Sequence, residues 1–252
     1  MAPSSRLVRE TMEHAETESP SESRRSGSEV VSVLKRDAFG RIELVRRDGV
    51  LLVRRVPCGG SIPGTALLAR ILARRERRAL ERLAGIEGVP ALVAVEGRDL
   101  LRTYIPGRRL DRGGRPPDDY FERLEALVRR IHERGVAHND LAKEANLLLG
   151  EDGAPAVVDF QVAAIAGEGG WRRAEGRFFR LLRREDLRHL AKQKALRRPE
   201  LLTEEDRHRL ARRSLAARGW AAIGKPVYRF VTRRLLSTSD SEGEGSSRSR
   251  TA

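Results

Sequence analysis

The chain has 252 residues, of which 39% are hydrophobic, 34% charged and only 4% aromatic, and its formal net charge is +14. That apolar share supports a packed core and excludes a disordered polymer, while a single cysteine, Cys58, excludes an internal disulfide; the sequence shows no CxxC and no Cys/His metal cluster, which suits a reducing, cytoplasmic setting. No stretch approaches the roughly 20 apolar residues of a membrane span, and no apolar run follows the first basic residues, so a signal peptide is not expected.

Residues 1–29 carry four Arg against six Glu and almost no large apolar groups, which predicts a disordered tail. Val30–Leu34, Arg41–Val45 and Val50–Val56 read as three antiparallel strands, turned at Gly40 and at Arg47-Asp48-Gly49. A Gly/Pro-rich loop from Pro57 to Gly64 leads to a helix over about Ala66–Leu83. Leu68, Leu72, Leu80 and Leu83 share one face of it, with Ala69, Ile71 and Ala79 nearby. Gly85 and Gly88 end the helix. Ala91–Glu96 and Leu100–Ile105 form two more strands about Gly97-Arg98-Asp99, giving β-β-β-α-β-β. Beyond Pro116-Pro117 a helix is predicted over Asp118–Arg134, with Tyr120, Phe121, Leu124, Leu127, Val128 and Ile131 at a 3.6-residue period. Gly135 stops it. Val136–Ala137, Leu147–Leu149 and Ala156–Val158 are short apolar pieces. From Phe178 the body is helical, basic and amphipathic. The Ser/Glu/Gly-rich segment 237–252 reads as a second disordered tail. The two tails together carry −3, which leaves +17 on the body. Such a body favours polyanions: nucleotide phosphates, nucleic acid or an anionic membrane face.

The most informative stretch runs from Gly135-Val136-Ala137-His138-Asn139-Asp140-Leu141 through Asn146-Leu147-Leu148 to Val157-Val158-Asp159-Phe160. An acid follows a helix, a carboxamide comes six residues later, and a second acid comes thirteen after that. Two carboxylates and an amide carbonyl brought together by a hairpin are the oxygen set that Mg²⁺ prefers. Phosphoryl transfer needs such a metal, and one carboxylate to orient the attacking hydroxyl.

His138-Asn139-Asp140-Leu141 with Asn146 resembles the kinase catalytic loop, and Asp159-Phe160-Gln161 resembles the D-F-G segment. The likeness spans about residues 30–200. It is closest to bacterial protein-kinase-like proteins near the RIO and lipopolysaccharide (Kdo/heptose) kinases. It implies a two-lobed α+β fold, with a five-stranded smaller lobe at 30–105 and a mostly helical larger lobe at 106–236. It also implies an ATP-dependent phosphotransferase using Mg²⁺. Asp140 would accept the proton of the acceptor hydroxyl, Lys143 would touch the transferred phosphate, and Asn146 and Asp159 would bind the metal. His138 would pack on Phe160, and Asp186 would anchor the catalytic loop from a helix below. Glu76, with Glu81 as the alternative, would pair with the cation that holds the nucleotide. Gly40 would lie over the phosphates, and Arg102 and Tyr104 near the adenine, at a hinge over Arg102–Ile105.

Several positions depart from the kinase pattern. Gly40 stands where a G-x-G-x-x-G would be. The third strand carries Arg54-Arg55 in place of Lys; strand alternation favours Arg54 as the phosphate-facing cation, with Arg55 second. Asp140 and Asn146 are six residues apart where kinases have five. Gln161 replaces a Gly, no A-P-E follows, and the short segment beyond it holds Gly167, Gly169 and Gly170. These departures motivate one alternative, a pseudokinase that binds nucleotide or acts as a scaffold without turnover. Protein Ser/Thr is the leading acceptor, with a lipid-linked, lipopolysaccharide-type sugar second. Residues 172–198 carry eleven Lys and Arg against three acids, interleaved with Phe178, Phe179, Leu181 and Leu182. Tyr228, Phe230 and Leu235 mix with arginines in the same way. Ordinary helices covering the larger lobe explain this pattern. Docking at the inner face of an anionic membrane is a second reading. Nucleic acid ranks below it, because aromatics are too few for a base-stacking platform.

Overall fold

A two-residue turn at Asp48-Gly49 sets the pairing of the strands on either side of it. The computed structural model describes residues 27–37, 39–58, 64–111, 114–167 and 172–211. The expected tails (apart from 27–29) and residues 212–236 lie outside these. Strands β1 (Glu29–Asp37), β2 (Gly40–Arg47), β3 (Val50–Pro57), β4 (Leu92–Glu96) and β5 (Asp99–Thr103) form one antiparallel sheet in the order β1-β2-β3-β5-β4. Asp48 and Gly49 take φ 50° and 79°, the positive values a type I′ turn requires, and Arg47 therefore pairs with Val50. β5 stops at Thr103, two residues earlier than expected. Thr103 clasps Ala91 there: its amide donates to the Ala91 carbonyl and its Oγ1 accepts from the Ala91 amide, both at 2.9 Å. Pro106, just beyond, has no N–H to extend a ladder.

Directly opposed residues share a sheet face. Glu43, Arg54 and Leu101 lie on one face; Leu44, Val53 and Arg102 lie on the other, with Arg55 and Leu100. Helix α1 (Thr65–Arg82) carries the chain from β3 to β4 and packs on the second face. Its buried side differs from the expected leucine stripe. Ala69, Ala73, Glu76, Ala79 and Leu80 face inward, followed by Leu83, whereas Leu68 and Ile71 are exposed and Leu72 is half-buried. Alanines let the helix lie close to the sheet, and that closeness turns the larger side chains of its first half outward.

Helix α2 (Tyr120–Glu133) is central to the rest. All six of its predicted apolar positions are buried, and the buried Tyr120 hydroxyl donates to the Leu148 carbonyl at 3.1 Å. Around α2 lie the strands β6 (Arg108–Arg109), β7 (Val136–Ala137), β8 (Leu147–Leu149), β9 (Pro155–Val157) and β10 (Ala164–Ile165). They pair as β6-β8-β9 and as β7-β10. Helices α3 (Arg172–Arg197) and α4 (Glu204–Ala211) follow, making four α-helices among the described residues. One hydrophobic cluster joins Leu80 of α1 and Leu83 just after it to Leu124, Leu127 and Ile131 of α2, and to Leu141, Phe160 and Leu190. The fold is α+β, built on a five-stranded antiparallel sheet. No described helix is long and apolar enough to cross a membrane.

Ion pairs hold α4 in place. Asp206 accepts from Lys194 at 2.8 Å and exchanges capping bonds with Thr203, while Glu125 accepts from Arg209 at 2.7 Å. Burial works to raise both carboxylate pKa values, but Lys194 and Thr203 at Asp206, and Arg209 and Arg129 at Glu125, outweigh it and lower them. A depressed folded-state pKa means stability that is present above the ordinary value of about 4 and lost as the pH falls through the folded value. Protection of the 204–211 amides against hydrogen exchange, relative to the intrinsic rate at each pH, should therefore fall below about pH 4 before that of the α2 amides. Simultaneous loss of protection in α2 and α4 would contradict this.

Candidate functional site

Helix α2 ends as Gly135 takes φ 72°, and β7 then delivers the loop 138–146. Asn139 adopts φ 65°, a left-handed conformation that asparagine tolerates better than most residues. A 3₁₀ turn over Glu144–Asn146 leads into β8, and β9 returns beside it. The Val158 amide donates to the Asn146 carbonyl at 3.0 Å, which sets Asp159 next to the start of β8. Asp159 itself takes φ 70°. A non-glycine residue in that conformation stores strain that the surrounding structure must hold.

Three of the predicted residues touch one another. Lys143 Nζ donates to Asp140 Oδ2 at 2.5 Å, and Asn146 Nδ2 donates to Asp140 O and Oδ2, both at 3.0 Å. Both partners of Asn146 Nδ2 are acceptors, so the amide orientation is fixed and its Oδ1 is turned elsewhere. Burial works against the Lys143 ammonium, but the Asp140 hydrogen bond and charge, with the charge of Asp159, outweigh it and raise its pKa. Lys143 thus lies in the field of both carboxylates. Asp159 Oδ1 accepts from Gln161 Nε2 at 2.6 Å, an interaction the sequence reading did not foresee.

The loop is clamped from below. Asp186 on α3, fully buried, accepts from the His138 amide at 2.7 Å, the Asn139 amide at 2.9 Å and His132 Nε2 at 2.9 Å. This is the anchoring position expected for it. His138 Nδ1 accepts from the Asp140 amide at 3.2 Å and its Nε2 lies 3.0 Å from the Val158 carbonyl, which fixes the proton on Nε2. Its ring meets Phe160 edge-on, with centroids 4.7 Å apart. The buried Gln193, one helical turn pair beyond Asp186, donates to the Ala142 carbonyl at 2.9 Å. Neither Gln193 nor His132 was legible in the sequence, because both depend on how α2 and α3 dock.

The acid on α1 and the cation on β3 also meet, with one correction. Arg55 Nη1, not Arg54, donates to Glu76, at 3.2 Å; Arg102 Nη1 donates to the other Glu76 oxygen. Arg54 lies on the opposite sheet face and donates to Glu43 Oε2 at 2.7 Å. Alternation separates the two arginines but does not say which face the helix covers; the Arg55–Glu76 pair shows that α1 covers the Arg55 face. Glu81, the alternative acid, is half exposed and pairs with Arg77 on the surface. Arg102, expected near the adenine, spends its guanidinium on Glu76. Two cations on one carboxylate leave one positive charge in excess, and the buried Arg55 Nε has no partner. That is an environment suited to a phosphate oxygen. Tyr104 is half-buried in the connection that follows β5. Gly40 is required by the fold itself: a Cβ there would meet the Val56 carbonyl oxygen at 2.2 Å.

The residues at hand fit a magnesium ion only as a partial set. Asn146 Oδ1 and Asp159 Oδ2 make no hydrogen bond among the described residues, and two protein oxygens completed by phosphate and water is the usual way Mg²⁺ is held. Among the described residues no group of three or more His, Cys, Asp and Glu side chains is arranged to hold a metal.

No protein-family model matches the chain. Over 69 residues, 27% of this chain, it is 44% identical to CBL-interacting protein kinase 16 of Oryza sativa subsp. japonica, covering 14% of that protein. A second alignment, 30% identical over 145 residues and 48% of this chain, is to a probable SapB synthase of Streptomyces coelicolor, of which it covers 15%. The chain thus spans about a seventh of the length of the curated relatives it matches, and part of it is similar to part of a plant protein kinase.

Proposed function

We propose that the chain is a two-lobed, kinase-like phosphotransferase that moves the γ-phosphate of ATP to a hydroxyl. The observation that carries this reading is the loop 138–146. Asp186 clamps its backbone, Asn146 and Lys143 fix its Asp140 carboxylate, and Lys143 feels the charge of both Asp140 and Asp159. The kinase likeness of the 69-residue stretch supports the same reading.

The β1–β5 sheet with α1 is the smaller lobe, and α2–α4 with the short strands are the larger. ATP lies between them, with its adenine against the connection at Thr103–Ile105. Arg55, oriented by Glu76, takes the phosphate role assigned from sequence to Arg54. Asn146 and Asp159 would hold Mg²⁺, which would supply neutralisation of phosphate charge. Gln161 restrains the Asp159 carboxylate through one oxygen and leaves the other without a hydrogen bond among the described residues. Asp140 accepts the proton of the acceptor hydroxyl as its oxygen bonds to the γ-phosphorus and the bond to the β–γ bridging oxygen breaks, releasing ADP. Lys143 places its charge where the transferred phosphoryl group becomes more negative. Protein Ser/Thr is the acceptor class we favour, with a lipid-linked sugar as the second.

Calorimetry of Mg-ATP binding tests the assignment of the phosphate cation. Arg55→Ala should weaken binding at least tenfold, about 1.4 kcal/mol, whereas Arg54→Ala should leave it within about threefold. Equal losses, or a larger loss for Arg54→Ala, would remove Arg55 from the site.

A further inference from the structure

We propose that the groove between α1 and the start of α3 is a docking site for an acidic peptide segment with apolar anchor residues, supplied by a partner protein. This site is distinct from the residues assigned to phosphoryl transfer and does not depend on that assignment.

Helix α1 has a second apolar face that stays exposed among the described residues. Leu68, Ile71 and Arg75 recur at helical spacing on its outer side; Leu68 is 43% and Ile71 46% exposed. One to two turns further along that side, Arg82 Nη1 donates to the Ala166 carbonyl at 2.6 Å, so the stripe runs down onto residues 163–166. A cavity of about 250 Å³ opens there, lined by Arg75, residues 163–166, Phe178, Phe179 and Leu182. That is smaller than the 300 Å³ or so at which drug-sized pockets begin, and it suits the side chains of one short segment. Phe178 at its rim is 59% exposed. Apolar groups spaced along a helix, leading into a concave end, match the anchor pattern of a peptide in a groove.

The charge around the groove selects the occupant. Arg74 and Arg75 on α1, and Arg183 one turn beyond Phe179, make no ion pair among the described residues. In contrast, Arg129, Arg197 and Arg209 on the helical body each pair with a carboxylate. Uncompensated guanidinium groups beside exposed aliphatic side chains are complementary to Asp and Glu interleaved with Leu, Ile or Phe. The concave shape favours a peptide over a bilayer, which would demand a protruding apolar face. Two phenylalanines at one end of an otherwise aliphatic groove favour it over nucleic acid, which would demand aromatics repeated along the path of a strand.

A random 16-residue peptide display library panned on the full chain tests the proposal. Enriched peptides should combine Asp or Glu with large apolar residues. The strongest, synthesised with a fluorescein label, should bind the Ile71→Ser/Arg75→Glu variant at least tenfold more weakly by fluorescence anisotropy at physiological salt. A version with Lys in place of its acids should regain affinity for that variant. Arg98→Glu, on the β4–β5 turn, and Asp140→Ala should each leave affinity within twofold; the latter separates docking from the transfer chemistry. Matching thermal unfolding of the wild type and the double variant excludes misfolding as the cause. No enrichment, winners without acidic residues, or unchanged affinity in the double variant would overturn the proposal. So would binding of phosphatidylglycerol vesicles or a 20-nucleotide RNA that is lost in that variant while no peptide binds.

Discussion

Asp186→Ala should be the most damaging single substitution in the protein. Asp186 is fully buried and satisfies two backbone amides, of His138 and Asn139, together with the His132 ring. Removing its carboxylate strands three donors at once, two of them buried and the Asn139 amide partly so. Each orphaned group costs about 1–3 kcal/mol, so a loss of about 3–5 kcal/mol is expected after partial relaxation. Chemical denaturation measures it. The accompanying effect separates a scaffold role from mere packing. The two amides fix where Asp140 stands, and a misplacement of about 1 Å costs on the order of a hundredfold in rate. Phosphotransfer should therefore fall by about that factor in the fraction that remains folded, with little change in affinity for Mg-ATP. A variant that loses stability but retains the wild-type rate would show that the clamp does not position Asp140.

Glu76→Ala should come second. The Arg55 and Arg102 side chains are 4% and 7% exposed, and Glu76 is their common counter-charge. Deleting one member of a buried charged cluster leaves uncompensated charge, at about 3–5 kcal/mol. Arg55→Met should cost less, because Arg102 still pairs with Glu76 and the methionine fills much of the space. Comparing urea midpoints of the two variants checks the order. If Arg55→Met were the more destabilising, the net positive excess at this cluster would not be the feature that matters.

What could be read from the sequence depended on whether a signal was local. The Asp48-Gly49 turn was legible because two consecutive positive φ values demand those residue types. Helix α2 was legible because its six apolar positions follow a single period and one core receives them all. The proximity of Asp140, Lys143 and Asn146 followed from their spacing in a short loop, and Asp186 followed from kinase resemblance. The β3 pair was not legible. Arg54 and Arg55 are adjacent and alike, so alternation puts them on opposite faces, and only the docking of α1 tells which face holds Glu76. The same docking turned Leu68 and Ile71 outward, against a leucine periodicity that predicted them inside. Gln193 reaches the loop 138–146, and His132 reaches Asp186, across helix contacts more than 45 residues apart in sequence, and no local pattern encodes such a meeting.

ATP turnover with Mg²⁺, in the wild type and in Asp140→Ala and Asp159→Ala, tests the central claim most directly, with nucleotide binding measured in parallel. The account predicts turnover in the wild type that is lost in both variants, with ATP affinity retained in Asp140→Ala and reduced in Asp159→Ala. Failure of the wild type to bind Mg-ATP, or turnover that survives Asp140→Ala, would contradict it. Binding that requires Asp159 without any turnover across acceptor classes would make the chain a pseudokinase.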